Sequence, residues 1–505
     1  MNEEILLGID IGTSSCKVAA FNKKGEVIDE ESGGYSVYYP QKGWAQQNPL
    51  EWWQAVVQAV RQIIKRGIIK TECIKGIGIA GQSWSTILLD ENGQVLTNTP
   101  IWMDQRSVEI CQQLERQFGK ERFFEISGNP LKPTYSLPKI LWFKENRPDI
   151  YQRTTQILQS NSYIAYQLTG VLSQDKSQGY GLHFFNMRSG TYDFELCKEL
   201  GLDPNLFPPL FDCHDIIGET TEQASLETGL PVGISVVAGG LDAACGTLGA
   251  GVIHNGQTQE QGGQAGGMSI CLDHYQADER LILSYHVVPE KWLLQGGTVG
   301  GAGVAKWMLN QFYQAEETIA NKRQINAFSQ MEEEIITVPA GSEGVIFLPY
   351  MSGERSPIWD PDAKGVYYGL DFSKTKAHFL RAAYEGVAYA LKHNLAVAEQ
   401  AGAKVKELHA MGGAANSLTW TQIKADVTGK RIVVPATDTA TTFGAAILAG
   451  VATSVYKSFE EAVTYAVSIN RIHEPNLELE KVYTKGYERY LAIYENLKML
   501  MRRDD

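Results

Sequence analysis

The spacing of apolar and polar residues predicts a mixed layer of strands and helices at the start of the chain. Residues 4–33 divide into three short segments joined by tight turns, which indicates three strands. Apolar residues between Leu50 and Arg66 recur at helical spacing and predict an amphipathic helix. The apolar run 74–80 predicts a buried strand, and 86–96 predicts a hairpin that turns on Asn92-Gly93. This mixture is typical of an α/β fold.

A similar order of elements returns in the second half of the chain. Residues 234–251 predict a buried strand, a glycine turn and a helix, and residues 258–272 predict two strands around a glycine-rich turn. The repetition indicates two similar domains. We place the boundary near residues 250–256, so that the domains are 1–253 and 254–505. Further helices are predicted at 302–331, 375–402 and 416–428 and, as an amphipathic stretch, at 475–502.

Composition and charge restrict the classes of function. The chain has 505 residues and a net charge of −13, which favours solubility and argues against broad binding to nucleic acid. No apolar run approaches the ~18 residues that a membrane-spanning helix needs, so we expect no membrane association. The seven cysteines include no C-x-x-C pair, which indicates reduced thiols rather than disulfides or a zinc site. We therefore expect a cytoplasmic protein.

The first candidate site is Asp10-Ile11-Gly12-Thr13-Ser14-Ser15, followed by Lys17. A carboxylate at a strand end can hold Mg²⁺ while N–H groups of the adjacent turn face phosphate oxygens. Gly12 permits a close approach of the backbone, and the hydroxyls of Thr13 and Ser14 are further donors. The alternative is an ordinary β-hairpin, in which such a sequence is unremarkable.

The second candidate is Asp242, within the segment Gly239–Ala244 that opens a predicted helix. Its carboxylate could accept the proton of a sugar hydroxyl as that oxygen attacks the γ-phosphate of a nucleotide. The alternative is an N-cap that satisfies the helix itself, and for an isolated aspartate before a helix this is the stronger interpretation.

Two glycine-rich stretches in the second half, 296–301 and 411–416, are candidates for nucleotide binding. Turns this poor in side chains let a planar base and ribose lie against the backbone, and Asn416 can hydrogen-bond to them. Taken alone, both stretches are better explained as tight turns at helix starts. Because no G-x-x-x-x-G-K-[ST] motif occurs, a P-loop mechanism is excluded.

The segments Gly81–Ser85 and Ile101–Arg106 are candidates for sugar binding. In the first, Gln82 stands close to Trp84, and in the second Asp104 stands close to Trp102. Amides and carboxylates beside an aromatic face are the mixture that small polar ligands need. The alternative is that both tryptophans pack in the core.

The order of these motifs along the chain resembles that of the FGGY carbohydrate kinases over essentially its whole length. The resemblance rests on DIGTSS at the N-terminus, GQSWS near 82, WMDQR near 104, YSLPKILW at 135–142, GGLDAA near 242, LPYMSGERSP at 348–357, GGAANSLTWTQIKADVTG at 412–429 and TTFGAAILAG at 441–450. Within the family the chain is most similar to the xylulokinase branch, whose members typically carry G-Q-M-H-G where this sequence has Gly81–Ser85.

The resemblance implies an α/β fold of two ribonuclease-H-like domains of the actin/hexokinase superfamily that face a central cleft. Domain 1–253 would bind the sugar, and domain 254–505 would bind the nucleotide. Asp242 is implied as the general base, and Asp10 as the residue that organises Mg²⁺. The implied ATP-binding residues are Gly12, Thr13, Ser14, Lys17, Gly262, Gly263, Gly301, Gly412, Gly413 and Asn416. The implied sugar-binding residues are Gln82, Ser83, Trp84, Trp102, Asp104 and Asp242.

The implied reaction is in-line transfer of the γ-phosphoryl group of ATP, with Mg²⁺, to a primary hydroxyl of a ketose such as D-xylulose. Three departures from the family pattern leave the sugar open. Trp84 replaces the histidine of the branch, and Ala243 stands where relatives often have Asn or Gln. The second phosphate loop contains Gln264-Ala265, which removes hydroxyl donors.

Other functions stay open. The chain could phosphorylate another polyol, ketose or sugar acid, such as ribulose, erythritol or gluconate. It could instead be a non-catalytic sugar or nucleotide sensor, although the retention of both Asp10 and Asp242 argues against this. An actin-like ATPase would give no reason for Gln82, Trp84 and Trp102. The apolar helix near 375–402 is compatible with a homodimer interface and equally with core burial.

Overall fold

The computed structural model describes residues 4–324, 326–437 and 439–502. The strands before residue 254 are β1 (Ile5–Ile11), β2 (Ser15–Asn22), β3 (Val27–Gly34), β4 (Gln46–Gln47), β5 (Ile74–Gly81), β6 (Ile87–Leu89), β7 (Thr99–Pro100), β8 (Gln156–Leu158), β9 (Gln174–Asp175), β10 (Phe185–Asn186), β11 (Thr191–Tyr192), β12 (Leu210–Phe211), β13 (Ile216–Glu219), β14 (Ser235–Val237) and β15 (Gly240–Leu241). The α-helices of the same stretch are α1 (Pro49–Arg66), α2 (Val108–Phe118), α3 (Lys120–Ser127), α4 (Ser136–Asn146), α5 (Pro148–Tyr151), α6 (Ser160–Thr169), α7 (Phe194–Glu199), α8 (Glu222–Thr228) and α9 (Asp242–Gly249).

The remaining strands are β16 (Gln257–Gly262), β17 (Gly266–Leu272), β18 (Ile282–Tyr285), β19 (Trp292–Thr298), β20 (Ile346–Leu348), β21 (Val366–Tyr368), β22 (Glu407–Met411), β23 (Arg431–Pro435) and β24 (Ile469–His473). The remaining α-helices are α10 (Ala302–Phe312), α11 (Gln314–Arg323), α12 (Ala327–Ile335), α13 (Lys376–Gln400), α14 (Leu418–Thr428), α15 (Ala440–Ala452), α16 (Phe459–Ala466) and α17 (Glu480–Met501). Short 3₁₀ helices lie at Thr71–Cys73, Lys176–Leu182, Pro204–Leu206, Ser342–Gly344, Gly413–Asn416 and Leu477–Leu479.

The chain forms two compact units, and each is assembled from separate segments. The first unit comprises Met1–Ile253, Cys271–Leu293 and Thr439–Ser468. The second comprises His254–Ile270, Leu294–Asp438 and Ile469–Asp505. The division expected at residue 253 coincides with one boundary, but two later segments pack with the N-terminal part, so the units are not contiguous halves. The assignment of sugar to one domain and nucleotide to the other stays a prediction.

The core of the first unit is a seven-stranded sheet in the order β13-β14-β5-β1-β2-β3, in which β15 also pairs with β5. The three strands predicted within 4–33 are β1 to β3, and they pair in antiparallel fashion. The strand predicted at 74–80 is β5, which lies parallel to β1. A mixed sheet of this kind confirms the predicted α/β class.

The second unit repeats this arrangement, with strands in the order β19-β17-β16-β22-β23-β24. Strand β16 pairs antiparallel with β17 and parallel with β22, as β1 pairs with β2 and β5. The strand, glycine turn and strand predicted at 258–272 are therefore confirmed. The shared pairing pattern explains the repetition of glycine turns in the sequence.

Helix α1 covers one face of the first sheet. It begins after Asn48, whose side chain accepts a hydrogen bond from the backbone N–H of Leu50 at 3.1 Å, and Pro49 is its first residue. It ends at Gly67, which has the left-handed conformation with a φ of 67°. Its buried face belongs to the apolar core of the sheet and includes Trp52, Val56, Val60 and Ile63.

Glycines allow helix α15 to lie unusually close to the other face of the sheet. A Cβ atom on Gly8 of β1 would lie 1.9 Å from the carbonyl oxygen of Thr442. A Cβ atom on Gly78 of β5 would lie 1.8 Å from the carbonyl oxygen of Ala445. Because both obstacles are backbone atoms, no side-chain rotation can relieve them. Glycine at these two positions sets the distance between the helix and the strands that carry the candidate site.

We expect the substitution Gly78→Ala to lower the free energy of unfolding of the first unit by about 3 kcal/mol, since the new methyl group must displace helix α15. The matched control is Gly34→Ala in β3, where a Cβ atom would meet only the carbonyl oxygen of Ser14 at 3.8 Å. Urea and thermal unfolding of both variants measure the difference. Equal midpoints for the two variants would show that the helix moves without cost.

Two elements differ from the sequence prediction. The hairpin predicted at 86–96 forms at its turn, where Leu89 bridges Val95 and the backbone N–H of Leu96 donates to the carbonyl oxygen of Leu88 at 2.9 Å, but the strand partner of β6 is β8. The single helix predicted at 302–331 is three helices, α10 to α12; residue 325 lies outside the described residues. Within the described ranges, no helix is both long and apolar enough to cross a membrane.

Candidate active site

The candidate residues of the first unit follow the carboxyl ends of three neighbouring parallel strands. Ile11 of β1 is in register with Gly81 of β5, which is in register with Leu241 of β15. The residue that follows each of these three positions therefore lies at the same edge of the sheet. These residues are Gly12, Gln82 and Asp242.

Asp242 is the first residue of helix α9, and the N-cap position belongs to Leu241. Its carboxylate accepts a hydrogen bond from the backbone N–H of Ala243 at 2.6 Å. Burial raises the pKa of Asp242 to about 6, and the hydrogen bond from Ala243 opposes this. A carboxylate with a pKa near neutrality is suited to accept and release a proton. Asp242 is therefore not the N-cap residue, but its side chain does satisfy one N–H of the first helical turn, as the capping alternative expected.

Asp10 lies in β1 opposite Lys17 of β2. Burial, and to a smaller extent the negative charge of Asp242, raise the pKa of Asp10 to about 8, while the positive charge of Lys17 opposes both effects. Its Oδ1 atom is buried and has no hydrogen-bond partner among the described residues. The two aspartates thus form a pair of nearby carboxylates whose shared negative charge is incompletely compensated.

The turn after β1 is held by side chains from elsewhere in the unit. The carbonyl oxygen of Gly12 accepts a hydrogen bond from the Tyr35 hydroxyl at 2.6 Å, and that of Thr13 accepts one from Gln47 Nε2 at 2.8 Å. The Thr13 hydroxyl accepts a hydrogen bond from Trp102 Nε1 at 2.9 Å. A residue that was predicted to bind ATP is therefore in contact with one that was predicted to bind the sugar. Ser14 is exposed.

Lys17, predicted to lie by the phosphates, makes a half-exposed ion pair with Glu30 at 3.3 Å. Its ammonium group therefore has a protein partner in this structure. The positive charge of Lys17 also acts on the nearby Asp10, because it lowers the pKa of that carboxyl.

Gln82 is buried at the edge of the sheet. Its Nε2 donates hydrogen bonds to Gln47 Oε1 at 2.7 Å and to the carbonyl oxygen of Gly12 at 3.3 Å. Its Oε1 atom is buried and accepts no hydrogen bond from the described part of the chain. An unpaired buried acceptor is costly, and this oxygen has the capacity to accept a further hydrogen bond.

Trp84 is only 7% exposed and packs against Tyr135 and Tyr180, with ring centroids 4.4 and 5.8 Å away. Its backbone has a φ of +57°, in the left-handed region that bulky residues rarely adopt. Its neighbour Ser83 is half-buried. The ring is thus mainly part of an aromatic cluster, although its backbone lies in the predicted sugar loop.

Asp104 is 0% exposed and its carboxylate accepts four hydrogen bonds. They come from the backbone N–H of Ala45 at 2.7 Å, from the backbone N–H of Arg106 at 3.0 Å, and from Nε and Nη2 of Arg106 at 2.9 and 2.8 Å. Two bonds at each oxygen fill the usual acceptor capacity of a carboxylate. Asp104 therefore holds its own loop together, and a sugar contact through its carboxylate would need one of these bonds to break.

The candidate nucleotide residues of the second unit converge from three segments. A Cβ atom on Gly412 would lie 2.9 Å from the carbonyl oxygen of Gly262, and one on Gly301 would lie 2.6 Å from that of Gly263. The backbone N–H of Ala302 donates a hydrogen bond to Gly263 at 2.7 Å. Because glycine has no side chain, the surface of these turns is formed by backbone atoms, including N–H groups. The other two predicted residues, Gly413 and Asn416, are exposed and are the first and last residues of a 3₁₀ helix.

Comparison with known proteins decides the family. Residues 5–249 match the N-terminal domain of the FGGY family of carbohydrate kinases, and residues 274–453 match its C-terminal domain. The chain belongs to the FGGY family. It is therefore a carbohydrate kinase, and the family implies that ATP is its phosphate donor.

Individual relatives agree with this assignment. The chain is 30% identical to a xylulose kinase of Staphylococcus epidermidis over 510 residues, covering 99% of this chain and 98% of the relative. It is also 30% identical to a gluconokinase of Bacillus subtilis over 498 residues, covering 98% and 96%. A solved xylulose kinase from Rhodospirillum rubrum superposes with a TM-score of 0.90 at 26% identity, covering 99% of this chain and all (100%) of that one.

Two sets of contacts near the candidate site cannot be read from the sequence motifs, although Glu354 itself lies within LPYMSGERSP. Gln178 Nε2 donates hydrogen bonds to the carbonyl oxygens of Gly81 and Gln82 at 3.1 and 3.2 Å. In the second unit, Glu354 Oε1 accepts a hydrogen bond from the backbone N–H of Val299 at 2.7 Å. These contacts join residues 55 to 97 positions apart. Local spacing cannot reveal them, because they exist only once the chain has folded.

We expect kcat/KM for the sugar to fall about tenfold per pH unit below pH 6. Asp242 must be ionised to accept a proton, and burial raises its pKa to about 6, so acidification protonates the base. The pH profile of kcat/KM between pH 4.5 and 8, at fixed Mg·ATP, measures this limb. An acidic limb near pH 4 would mean that the group which titrates is an exposed carboxyl and not Asp242.

Proposed function

We propose that this FGGY kinase phosphorylates a hydroxyl of a ketose, with D-xylulose as the first candidate, and that Asp242 is the general base. The observation that carries the proposal is the position of Asp242, with its raised pKa, at the sheet edge that also presents Gln82. The names of the relatives, several of them xylulose kinases, support the choice of sugar.

In the proposed reaction the sugar hydroxyl donates its proton to a carboxylate oxygen of Asp242 while its own oxygen attacks the γ-phosphorus of ATP. The O–P bond to the sugar forms, the bond to the β-phosphate oxygen breaks, and ADP leaves. Gln82 Oε1 orients the sugar by accepting a hydrogen bond from another hydroxyl, which satisfies an otherwise unpaired acceptor.

Asp10 fits the role of organising Mg²⁺. Its buried Oδ1 without a partner, next to a second carboxylate, is a site where a cation would relieve an unfavourable charge. In the described residues no cluster of three or more potential ligands stands ready for a metal, so most ligands would be water and phosphate oxygens. When bound, the ion would neutralise charge on the transferring phosphoryl group.

We propose nucleotide-binding residues in each unit separately. In the first unit these are the turn residues Gly12, Thr13 and Ser14, with Lys17 released from Glu30. In the second unit they are the converging glycines at 262–263, 301 and 412–413, with Asn416. Gln264 and Ala265 bring no hydroxyl to this loop, so its contribution to phosphate binding would come from backbone N–H groups.

A second candidate substrate is gluconate, because gluconokinases of Bacillus subtilis and Bacillus licheniformis are 30% and 31% identical to this chain. The same catalytic residues would serve either substrate. A cation would favour binding of the carboxylate of a sugar acid, but both cations at the candidate sugar loops are engaged: Arg106 pairs with Asp104, and Lys139 donates to the carbonyl oxygens of Trp84 and Ile101. This favours a neutral ketose.

The test is a coupled assay of ADP release with Mg·ATP and a panel of D-xylulose, L-xylulose, D-ribulose, L-ribulose, erythritol, glycerol and gluconate. We expect D-xylulose to raise ADP release far above the sugar-free rate. If gluconate is the only compound of the panel that is turned over, the proposal of a ketose substrate is wrong, while the proposal that Asp242 is the general base stands. Binding of ATP without turnover of any sugar would favour the sensor. The cytoplasmic location and the homodimer stay predictions, which cell fractionation and light scattering measure.

A further inference from the structure

Lys139 is a buried lysine next to the candidate sugar site. It lies on helix α4, and its side chain is 0% exposed. Lysine is almost never fully buried without a partner, because desolvation of an ammonium group is costly. The position therefore calls for an explanation in terms of what the amine binds.

The amine joins two loops that are distant in sequence. Lys139 Nζ donates one hydrogen bond to the carbonyl oxygen of Trp84 at 3.0 Å and another to that of Ile101 at 2.7 Å. The first carbonyl belongs to the loop after β5, which carries Gln82 and Ser83. The second directly precedes Trp102, whose indole binds the Thr13 hydroxyl. One side chain thus connects both segments that line the proposed sugar site.

The charges around Lys139 show that an ion pair does not hold it there. Asp104 is the nearby carboxylate, but its oxygens are occupied by Arg106 and by the backbone N–H of Ala45. Arg106 is itself stacked on Trp44, 3.9 Å from the ring centroid. Burial lowers the pKa of Lys139 to about 7, Asp104 opposes this and Arg106 adds to it. Within the described part of the chain, the amine therefore donates hydrogen bonds to two backbone carbonyl oxygens.

We propose that Lys139 is a positioning residue for the sugar site, which holds the loop of Gln82 and the loop of Trp102 at a set separation. The proposal rests on the proposed function in one respect only, the placing of the sugar on these two loops. The connection between the loops is a property of the fold and can be measured without any substrate.

The first measurement is amide hydrogen exchange on Lys139→Met. This substitution keeps the apolar stem of the side chain and removes the amine that donates both hydrogen bonds. The matched control is Lys144→Met on the same helix, since Lys144 bonds instead to the carbonyl oxygen of Gly201. We expect exchange in peptides covering 82–86 and 101–106 to become about tenfold faster in Lys139→Met alone. Unchanged exchange in both loops would overturn the proposal, whatever the substrate proves to be.

The second measurement is steady-state kinetics with the sugar that the wild-type enzyme turns over. We expect Lys139→Met to raise KM for the sugar about tenfold and to leave KM for ATP within about twofold. A purely structural role would lower the amount of active enzyme and leave both KM values unchanged, which would overturn the positioning role. If the wild type turns over no sugar, the proposed function fails while the exchange experiment still decides whether the amine joins the loops.

Where Lys139→Met does not fold, Lys139→Gln replaces it, because its shorter amide can still donate to one of the two carbonyls. We then expect faster exchange in one of the two loops, with the other as an internal control. Equal exchange in both loops, at the wild-type rate, contradicts the proposal.

Discussion

Asp242→Asn is expected to lower kcat by at least about 10³-fold while the sugar and ATP still bind. Asparagine has nearly the same shape as aspartate but cannot accept the hydroxyl proton, so the attacking oxygen is not activated. The ADP-release assay gives kcat, and calorimetric titration with the sugar and with Mg·ATP gives the two binding constants.

The control for Asp242→Asn is Asp149→Asn, which removes an exposed carboxylate paired with Arg147 on the surface. We expect the control to retain wild-type turnover. A kcat for Asp242→Asn within tenfold of wild type would remove Asp242 from the role of general base. Loss of sugar binding together with turnover would instead make Asp242 a binding residue.

Asp10→Asn is expected to lower kcat about 10²- to 10³-fold and to raise the Mg²⁺ concentration needed for half-maximal rate. The substitution removes the charge that we propose to hold the ion, but leaves Asp242 in place. Turnover measured against Mg²⁺ concentration tests this. An unchanged Mg²⁺ dependence would show that another group organises the metal.

Although Asp10→Asn is expected to lower activity, we expect it to raise thermal stability at high pH. The pKa of Asp10 is raised in the folded state to about 8, so the folded protein disfavours the ionised form. Stability due to this group is present below pH 4 and is lost as the pH rises through about 8. Without metal, Asp10→Asn should therefore melt at a higher temperature than wild type at pH 8.5, and at a similar temperature at pH 4.5.

How far the sequence predicts this protein depends on the range of each interaction. The strands β1, β2, β3 and β5 and the helix α1 follow from short periodic patterns and local caps such as Asn48 and Gly67, and all are confirmed. The long helix predicted at 302–331 is wrong, because helical periodicity does not show where a chain turns between two helices. The hairpin predicted at 86–96 forms at its turn, but the sequence did not predict β8 as the strand partner of β6, since β8 lies about 70 residues away in the chain.

Within the site, residue types and their order along the chain were sufficient to select Asp10, Gln82 and Asp242. A carboxylate or an amide at the end of a predicted strand, or at the start of a predicted helix, is visible without a structure. The partners of these residues are not. The four hydrogen bonds that occupy Asp104, and the packing of Trp84 between Tyr135 and Tyr180, depend on which segments meet.

By itself, then, the sequence determined the class of fold and the family, and it predicted the candidate residues at the strand ends, because periodicity, glycine turns and motif order are local or linear properties. Only the tertiary structure decided that β1, β5 and β15 share one edge, that segments 271–293 and 439–468 pack with the N-terminal unit, and that Lys139 binds Trp84 and Ile101. The physical reason is that burial, register and hydrogen-bond saturation arise between residues far apart in the chain. The same burial raises the pKa of Asp242 to about 6.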